Sequence, residues 1–431
     1  MKEKKYINFI IFWASQAVSQ LGSSMTGFAL TIWAYKQTES VMTVSLLTFF
    51  SYCPYILVSL LAGTFVDRHK KKNIMLWSDS IAFLCSVSIV VLLVTGKLQI
   101  WHIYIVNSVT GFMGAFQSPA SSVALGMIVP EDKLSNASGM NSLSSSILSV
   151  ITPMLAAFIN SIFGLKGVIM IDMLTFGFAF CVLLFYIKLP EVLKKVPKSK
   201  NEILKGCKEG FSFLFEHKGL WNLIVSMAVI NFFSRITFEN ILPAMLLARS
   251  GGNDNVFGVI SGLLGFGGIL GGLYVSFFKL PKNNIKLIYF SAALSFIMGD
   301  LLMGVGQNIW LWGIAGLFAS VPIPFVSAGQ NVILYRDISK EMQGRVFAVR
   351  NAMQFVTIPI GILLGGFLAD SVFEPFMQSS NPVALVLQRI VGTGAGSGMA
   401  AMFLFTGISG CVTSMIWYRN REIRRLNEKL E

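Results

Sequence analysis

Twelve long apolar stretches, separated by short polar segments, dominate the chain: 8–35, 41–66, 73–95, 100–128, 135–163, 166–188, 219–248, 255–278, 285–306, 309–335, 343–370 and 397–418. A helix of about 20 apolar residues crosses the roughly 30 Å of hydrocarbon in a bilayer, and every stretch reaches that length. Lipid offers no partner to backbone N–H and C=O groups, so spanning segments must be helices or a closed barrel. The apolar–polar alternation of barrel strands is absent. The pattern predicts an all-α membrane protein with twelve transmembrane helices.

The polar breaks set the orientation and the domain plan. If the N-terminus is cytoplasmic, 28 of the 34 Lys and Arg fall in inner segments and 5 in outer ones, with Arg235 inside span seven. That bias puts both termini on the cytoplasmic side. Met1–Lys5 is basic, as the start of a signal peptide is, but the apolar run after it continues to Tyr35 without a small-residue cleavage pattern. It reads as a retained first span. The longest break divides the chain into residues 1–188, a cytoplasmic linker 189–218, and residues 219–431. Within the linker, Ile203, Cys207, Phe211 and Phe215 recur at helical spacing with Lys205, Lys208 and Glu209 elsewhere on the wheel. This predicts an interfacial amphipathic helix, with a plain tether as the alternative.

The two sets of six spans repeat one another. Pro119 of span four and Pro324 of span ten are 205 residues apart, and Pro153 of span five and Pro359 of span eleven are 206 apart. Two matched prolines at nearly one offset predict a duplicated six-helix unit, with pseudo-symmetric bundles. Internal repeats of this kind place substrate sites near the midplane and permit alternating access.

Composition narrows the class. Only 13% of the residues are charged and 54% are hydrophobic, against about 25% charged in soluble domains. The net charge of +13 falls in short clusters beside apolar runs, which suits a membrane surface and not nucleic acid. Four of the five cysteines lie in spans and none forms a CxxC pair, so neither a disulfide framework nor a zinc site is expected. His69, His102 and His217 are scattered at span edges; no metal and no cofactor is expected. No Walker A pattern is present, which argues against ATP coupling. The glycine run Gly392–Gly398 reads as a flexible joint, without strand or nucleotide context.

Ionisable groups inside spans are costly and tend to face the interior. Span seven holds Arg235 and Glu239, four apart on one helix face and able to pair. Phe232, Phe233 and Phe238 add aromatic surface nearby, suited to lipophilic cations. A coupling role and a purely structural ion pair are equally compatible with this spacing. Asp172 of span six lies just inside the outer surface, within reach of water, and Asp300 lies toward the outer end of span nine. Either could relay protons. Span one carries a polar row (Gln16, Gln20, Ser23 or Ser24, Gly27, Thr31), and span five adds Asn141, Ser145, Ser149 and Thr152. Gln16, Gln20 and Asn141 are the candidates for a wet cavity, with helix–helix hydrogen bonding as the alternative. The glycines of span eight, Gly258, Gly262, Gly267 and Gly271, are read as packing positions.

Between spans two and three the chain reads GTFVDRHKKKN, residues 63–73. Asp67 can face the basic residues of this loop and the positive end of span three. The stretch resembles the signature loop G-x-L-A-D-R-x-G-R-K of the major facilitator superfamily at Gly63, Asp67, Arg68, Lys71 and Lys72, with Lys70 in place of the usual glycine. The resemblance runs along the whole chain and is nearest to macrolide-efflux-type drug/proton antiporters, carried by FQSPASSV, MIVPEDKLSNASG and GRVFAV. It implies a cytoplasmic gate at the loop; Asp79 of span three, close to the loop, reads from its position as support for Asp67. Two departures concern coupling. Thr110 stands where such antiporters often carry an arginine, and their span-five motif survives only as Pro153 before Leu-Ala-Ala.

The resemblance implies a non-enzymatic secondary active transporter in a bacterial cell membrane. It would export small lipophilic molecules, drug-like or macrolide-like, in exchange for protons. The alternatives are an importer or facilitator of a metabolite, and a membrane sensor that binds a ligand without moving it.

Overall fold

The computed structural model describes residues 2–129, 133–187, 189 and 200–428. Every expected span is helical over most of its described length. Packing separates the chain into two compact units, one of Met1–Glu39 with Leu46–Pro197 and one of Ser40–Ser45 with Lys198–Glu431.

In the first unit, helices Lys2–Thr38, Val41–Arg68, Lys71–Val94 and Ile100–Ile128 are spans one to four. Spans five and six form one continuous run, Leu134–Cys181, that turns a corner at Gly164. Gly164 has φ +64° and ψ −175°, a conformation populated almost only by glycine that costs a residue with a Cβ about 1–3 kcal/mol. The glycine therefore makes the turn between spans five and six without a loop.

In the second unit the spans are more often interrupted, and the sequence explains where. Span seven is two helices, Lys218–Phe238 and Ile241–Arg249. Pro243 lacks an N–H and its ring would crowd the carbonyl four residues earlier, at Glu239, where the break falls. Span ten breaks between Ile309–Ser320 and Ile323–Asp337 at Pro322 and Pro324, two missing donors in one turn. Span eight (Asp254–Phe277) and span twelve (Ser397–Arg419) are continuous. Span nine starts as Asn284–Ser295 and widens into a π-helical turn at Phe296–Leu301. Span eleven, Lys340–Leu368, widens likewise at Ala369–Phe373. The first of these turns contains Asp300 and the second Asp370.

Nine of the described helical segments are long and apolar enough to cross a membrane by length and composition, and one of these, Met140–Tyr186, holds two spans. Spans one and four, which carry Gln16, Gln20, Asn107 and Gln117 among their apolar residues, are not among the nine. Large hydrophobic side chains point outward: Phe185 is 77% exposed, Phe277 79% and Trp310 80%. In water such a surface would aggregate, whereas in a bilayer it is the solvated face. Inside the second unit, Leu220, Ile224, Ile288 and Leu334 form a core at the end where span seven begins, to which Leu214 and Ile423 belong. The linker helix Lys200–Glu216 is thus anchored through Leu214 and through the Glu209–Arg345 ion pair, while Phe215 stays exposed. The side chains of Ile203 and Cys207 lie outside the described residues. Span eight behaves as its glycines predict. A Cβ at Gly267 or Gly271 would collide with the carbonyls of Leu317 and Val321 in span ten.

Candidate functional site

Each unit encloses its own polar cavity. The first unit's cavity, about 640 Å³, is bounded by spans one to six. Three side chains marked as cavity residues in the sequence, Gln16, Gln20 and Asn141, line it, together with Trp13, Tyr55 and Phe176. Serines of spans four and five complete much of the wall, with Ser118, Ser121 and Ser122 on one side and Ser144 and Ser145 on the other. Gln16 Nε2 and Trp13 Nε1 are buried and donate to no described group. Such idle donors are costly unless water or a ligand accepts from them.

Asp79 departs from its expected place. It is 93% buried, takes a hydrogen bond from the Gln117 amide, and lines this cavity. It is therefore the cavity's acidic group as well as a neighbour of the loop. The side chains of Gly63, Asp67 and Arg68 lie outside the described residues. Lys71 is buried, and Lys72 Nζ donates to the carbonyls of Leu184 and Ile187, both at 2.9 Å, tying the loop to the end of span six. Thr110, standing where an arginine is usual, turns its hydroxyl back onto the carbonyls of Val106 (2.9 Å) and Asn107 (3.2 Å) of its own helix.

The second unit's cavity, about 460 Å³, lies among spans seven to eleven. Arg235 and Phe238 line it, and Arg235 is ion-paired with Glu239 as the spacing predicts. Phe238 meets Phe403 edge-on with ring centroids 5.5 Å apart. Phe232 is not part of the wall; its ring lies edge-on to Phe233, and its backbone carbonyl faces Gly361 of span eleven. Cavity residues that the sequence did not single out are Asn231, Ser234, Gln330, Asn331, Arg350 and Gln354.

The cavities occupy repeat-equivalent positions. With the offsets of the proline pairs, Ser122 corresponds to Ser327 and Ser144 to Arg350, and all four face a cavity. In spans one and seven an offset of 211 matches Gln20 with Asn231 and Ser23 with Ser234, again all lining. The same offset matches Thr26 with Thr237, which belong to a second shared feature. Asp172, 5% exposed, accepts hydrogen bonds from Ser23 (3.0 Å), Thr26 (3.1 Å) and Ser86 (3.2 Å). Asp300, 1% exposed, accepts from Thr237 (3.3 Å) and Thr406 (2.9 Å). Each cluster ties together the first, third and sixth spans of its unit, with the carboxylate on the sixth in one and on the third in the other. Asp172 is thus enclosed by hydroxyl donors rather than open to water, because spans one and three cover it.

The sequence profile of the Major Facilitator Superfamily matches residues 12–362. The chain belongs to that family. Among its relatives, Macrolide efflux protein A of Streptococcus pyogenes is 25% identical over 369 residues, covering 85% of this chain and 90% of the relative. Macrolide efflux protein A of Enterococcus faecalis is 25% identical, covering 75% of this chain and 98% of the relative. Multidrug resistance protein MdtG of Proteus mirabilis is also 25% identical, covering 71% and 74%. Solved structures share the fold at much lower identity. The nucleoside transporter NupG superposes with a TM-score of 0.70 at 13% identity, covering 96% of this chain and 100% of that one. A bacterial homologue of the iron transporter ferroportin, in an inward-facing state, gives 0.66 at 14% identity, covering 96% and 99%. This superfamily member is a multi-pass membrane transporter of small molecules rather than an enzyme, and its helices form the twelve-span, two-bundle architecture the hydrophobic pattern predicts.

Proposed function

We propose that this transporter exports small lipophilic molecules from the cytoplasm in exchange for protons, with both termini on the cytoplasmic side. The observation that carries the direction is the similarity to macrolide efflux proteins along most of both chains. The physical support for coupling is the Arg235–Glu239 pair at the edge of the second unit's cavity. A carboxylate paired with a guanidinium holds its charge; protonation removes the attraction and lets the guanidinium turn toward a ligand. Export then follows if ligand and proton compete for the pair. Asp172 and Asp300, each inside a cage of hydroxyls, are the further candidates for proton relay. Gln16, Gln20 and Asn141 supply hydrogen bonds to the ligand in the first cavity, with Phe238 offering apolar contact in the second. The loop with Gly63, Asp67, Arg68, Lys71 and Lys72 governs closure at the cytoplasmic face, and Lys72 joins it to span six.

The test is retention of a fluorescent lipophilic dye in cells with and without the protein. Export predicts less dye in the expressing cells and loss of that difference when nigericin collapses the pH gradient. Greater accumulation in expressing cells would indicate import. Dye binding by the purified protein without any flux in proteoliposomes would indicate a sensor.

A further inference from the structure

The second cavity contains a charge that the proposed export cycle does not use. Arg350 lies in span eleven and lines the cavity wall. Its guanidinium donates to amide oxygens only, Asn331 Oδ1 at 3.0 Å and Asn351 Oδ1 at 3.2 and 3.0 Å, and lies 4.8 Å from the centre of the Phe347 ring. No carboxylate among the described residues touches it. Dipoles and a π-face orient a guanidinium but do not cancel its charge. Beside Asn331, Gln330 is 94% buried, lines the same cavity, and its Nε2 has no hydrogen-bond partner. The repeat-equivalent positions in the first unit are Ser144 and Leu125, so this donor pair is peculiar to the second.

We infer that Arg350 and Gln330 form a subsite for an anionic group, a carboxylate or phosphate, on an otherwise apolar ligand. Guanidinium N–H groups match the two oxygens of such an anion, and the idle amide N–H adds a third donor. Phe238, Phe296 and Val326 supply the apolar wall for the rest of the molecule. A volume of about 460 Å³ falls within the usual range for drug-sized ligands. The inference rests on the export reading for its cargo, and it narrows that cargo to lipophilic acids where the aromatic residues of span seven alone suggested cations.

The experiment is fluorescence anisotropy on the purified full chain in a non-ionic detergent, with a fluorescein-type carboxylate dye, its methyl ester and a rhodamine-type cation. The carboxylate is expected to bind about tenfold more tightly than the ester, the scale of one charged hydrogen-bond set. Arg350→Gln should bring the carboxylate down to the affinity of the ester, and Arg350→Lys should restore part of the preference. Gln330→Glu, a near-isosteric change that also decides the matter if Arg350→Gln fails to fold, should turn the preference toward the ester. Equal affinity for carboxylate and ester in the unaltered protein, or a preference unmoved by these variants, would overturn the inference. Two further arms separate the sources of the anion. Arg350-dependent uptake of the carboxylate dye into everted vesicles identifies cargo. Displacement of the dye by phosphatidylglycerol, without dye flux, identifies a lipid headgroup at the same subsite. Absence of flux for every dye, with the carboxylate preference intact, would sink the export reading and leave the subsite standing.

Discussion

The two cavities share a frame and differ in charge. In the first unit the wall is amides and hydroxyls with one acid, Asp79, held by Gln117. In the second, two arginines face the space, one answered by Glu239 and one by neutral amides. Serine stands opposite arginine in the repeat (Ser144 and Arg350), and leucine opposite glutamine (Leu125 and Gln330). Duplication has preserved which positions face inward, since that depends on helix register and on the prolines, while the chemistry of those positions has diverged. The lesson is a division of labour: a hydrogen-bonding chamber in one half and an ionic one in the other.

The hydroxyl–carboxylate clusters give the largest test of the shared frame. Asp172→Leu takes the acceptor from three hydroxyls, of which Thr26 is buried, whereas after Asp300→Leu the hydroxyls of Thr406 and Thr237 keep carbonyls of their own helices within reach. Each buried group left unpaired costs about 1–3 kcal/mol, so the first substitution is expected to lower thermal stability in detergent more than the second. The Asn variants keep the shape and an acceptor oxygen, and should lose no more than about 1 kcal/mol. A larger loss at Asp300 than at Asp172 would break the equivalence of the clusters.

The difference in charge is sharpened by a smaller change. Asp79→Asn is expected to weaken binding of a rhodamine-type cation by about tenfold, the scale of a lost charged contact. Affinity for an uncharged ester dye should stay within about twofold, since no charged contact is removed. Anisotropy titrations would read both, and equal weakening of the two dyes would mean that Asp79 only supports its helices. A further test concerns a corner that the first unit makes with a glycine. Gly164→Ala should cost about 1–3 kcal/mol in thermal stability, because φ +64° with ψ −175° is strained for alanine while the space beside it is open. No change in melting temperature would show that the corner relaxes freely.

Much of this frame is legible in the sequence, and the reasons are local. Span length and loop charge depend on short windows, so twelve helices can be read directly. The proline pairs fix the register of spans four and five against ten and eleven, and the i, i+4 spacing of Arg235 and Glu239 fixes their pairing. Gln16, Gln20 and Asn141 stand out because polar rows are rare in apolar spans. What escapes local reading depends on how helices are rotated against one another. The partners of Asp172 are 86 to 149 residues away, so their closing over it is invisible in a single chain. Asp79 looks like part of the loop from its depth alone, yet its face turns toward Gln117. Arg350 is hidden for a different reason. It follows Arg336, Lys340 and Arg345 in a basic segment, and a count of loop cations assigns it to the membrane rim. Its spacing of four from Gln354 on one helix, with Gln330 and Asn331 adjacent in span ten, is the signal that a polar face continues inward.

The coupling role proposed for Glu239 is tested most directly by gradient-driven dye uptake into proteoliposomes that carry wild-type protein or Glu239→Gln. With the interior made acidic, protein inserted with its cytoplasmic face outward is predicted to concentrate the dye above equilibrium. The variant should bind dye and equilibrate it without accumulation, because it has no carboxylate to protonate. Accumulation by Glu239→Gln equal to that of wild type, with unchanged dependence on the pH gradient, would contradict the account.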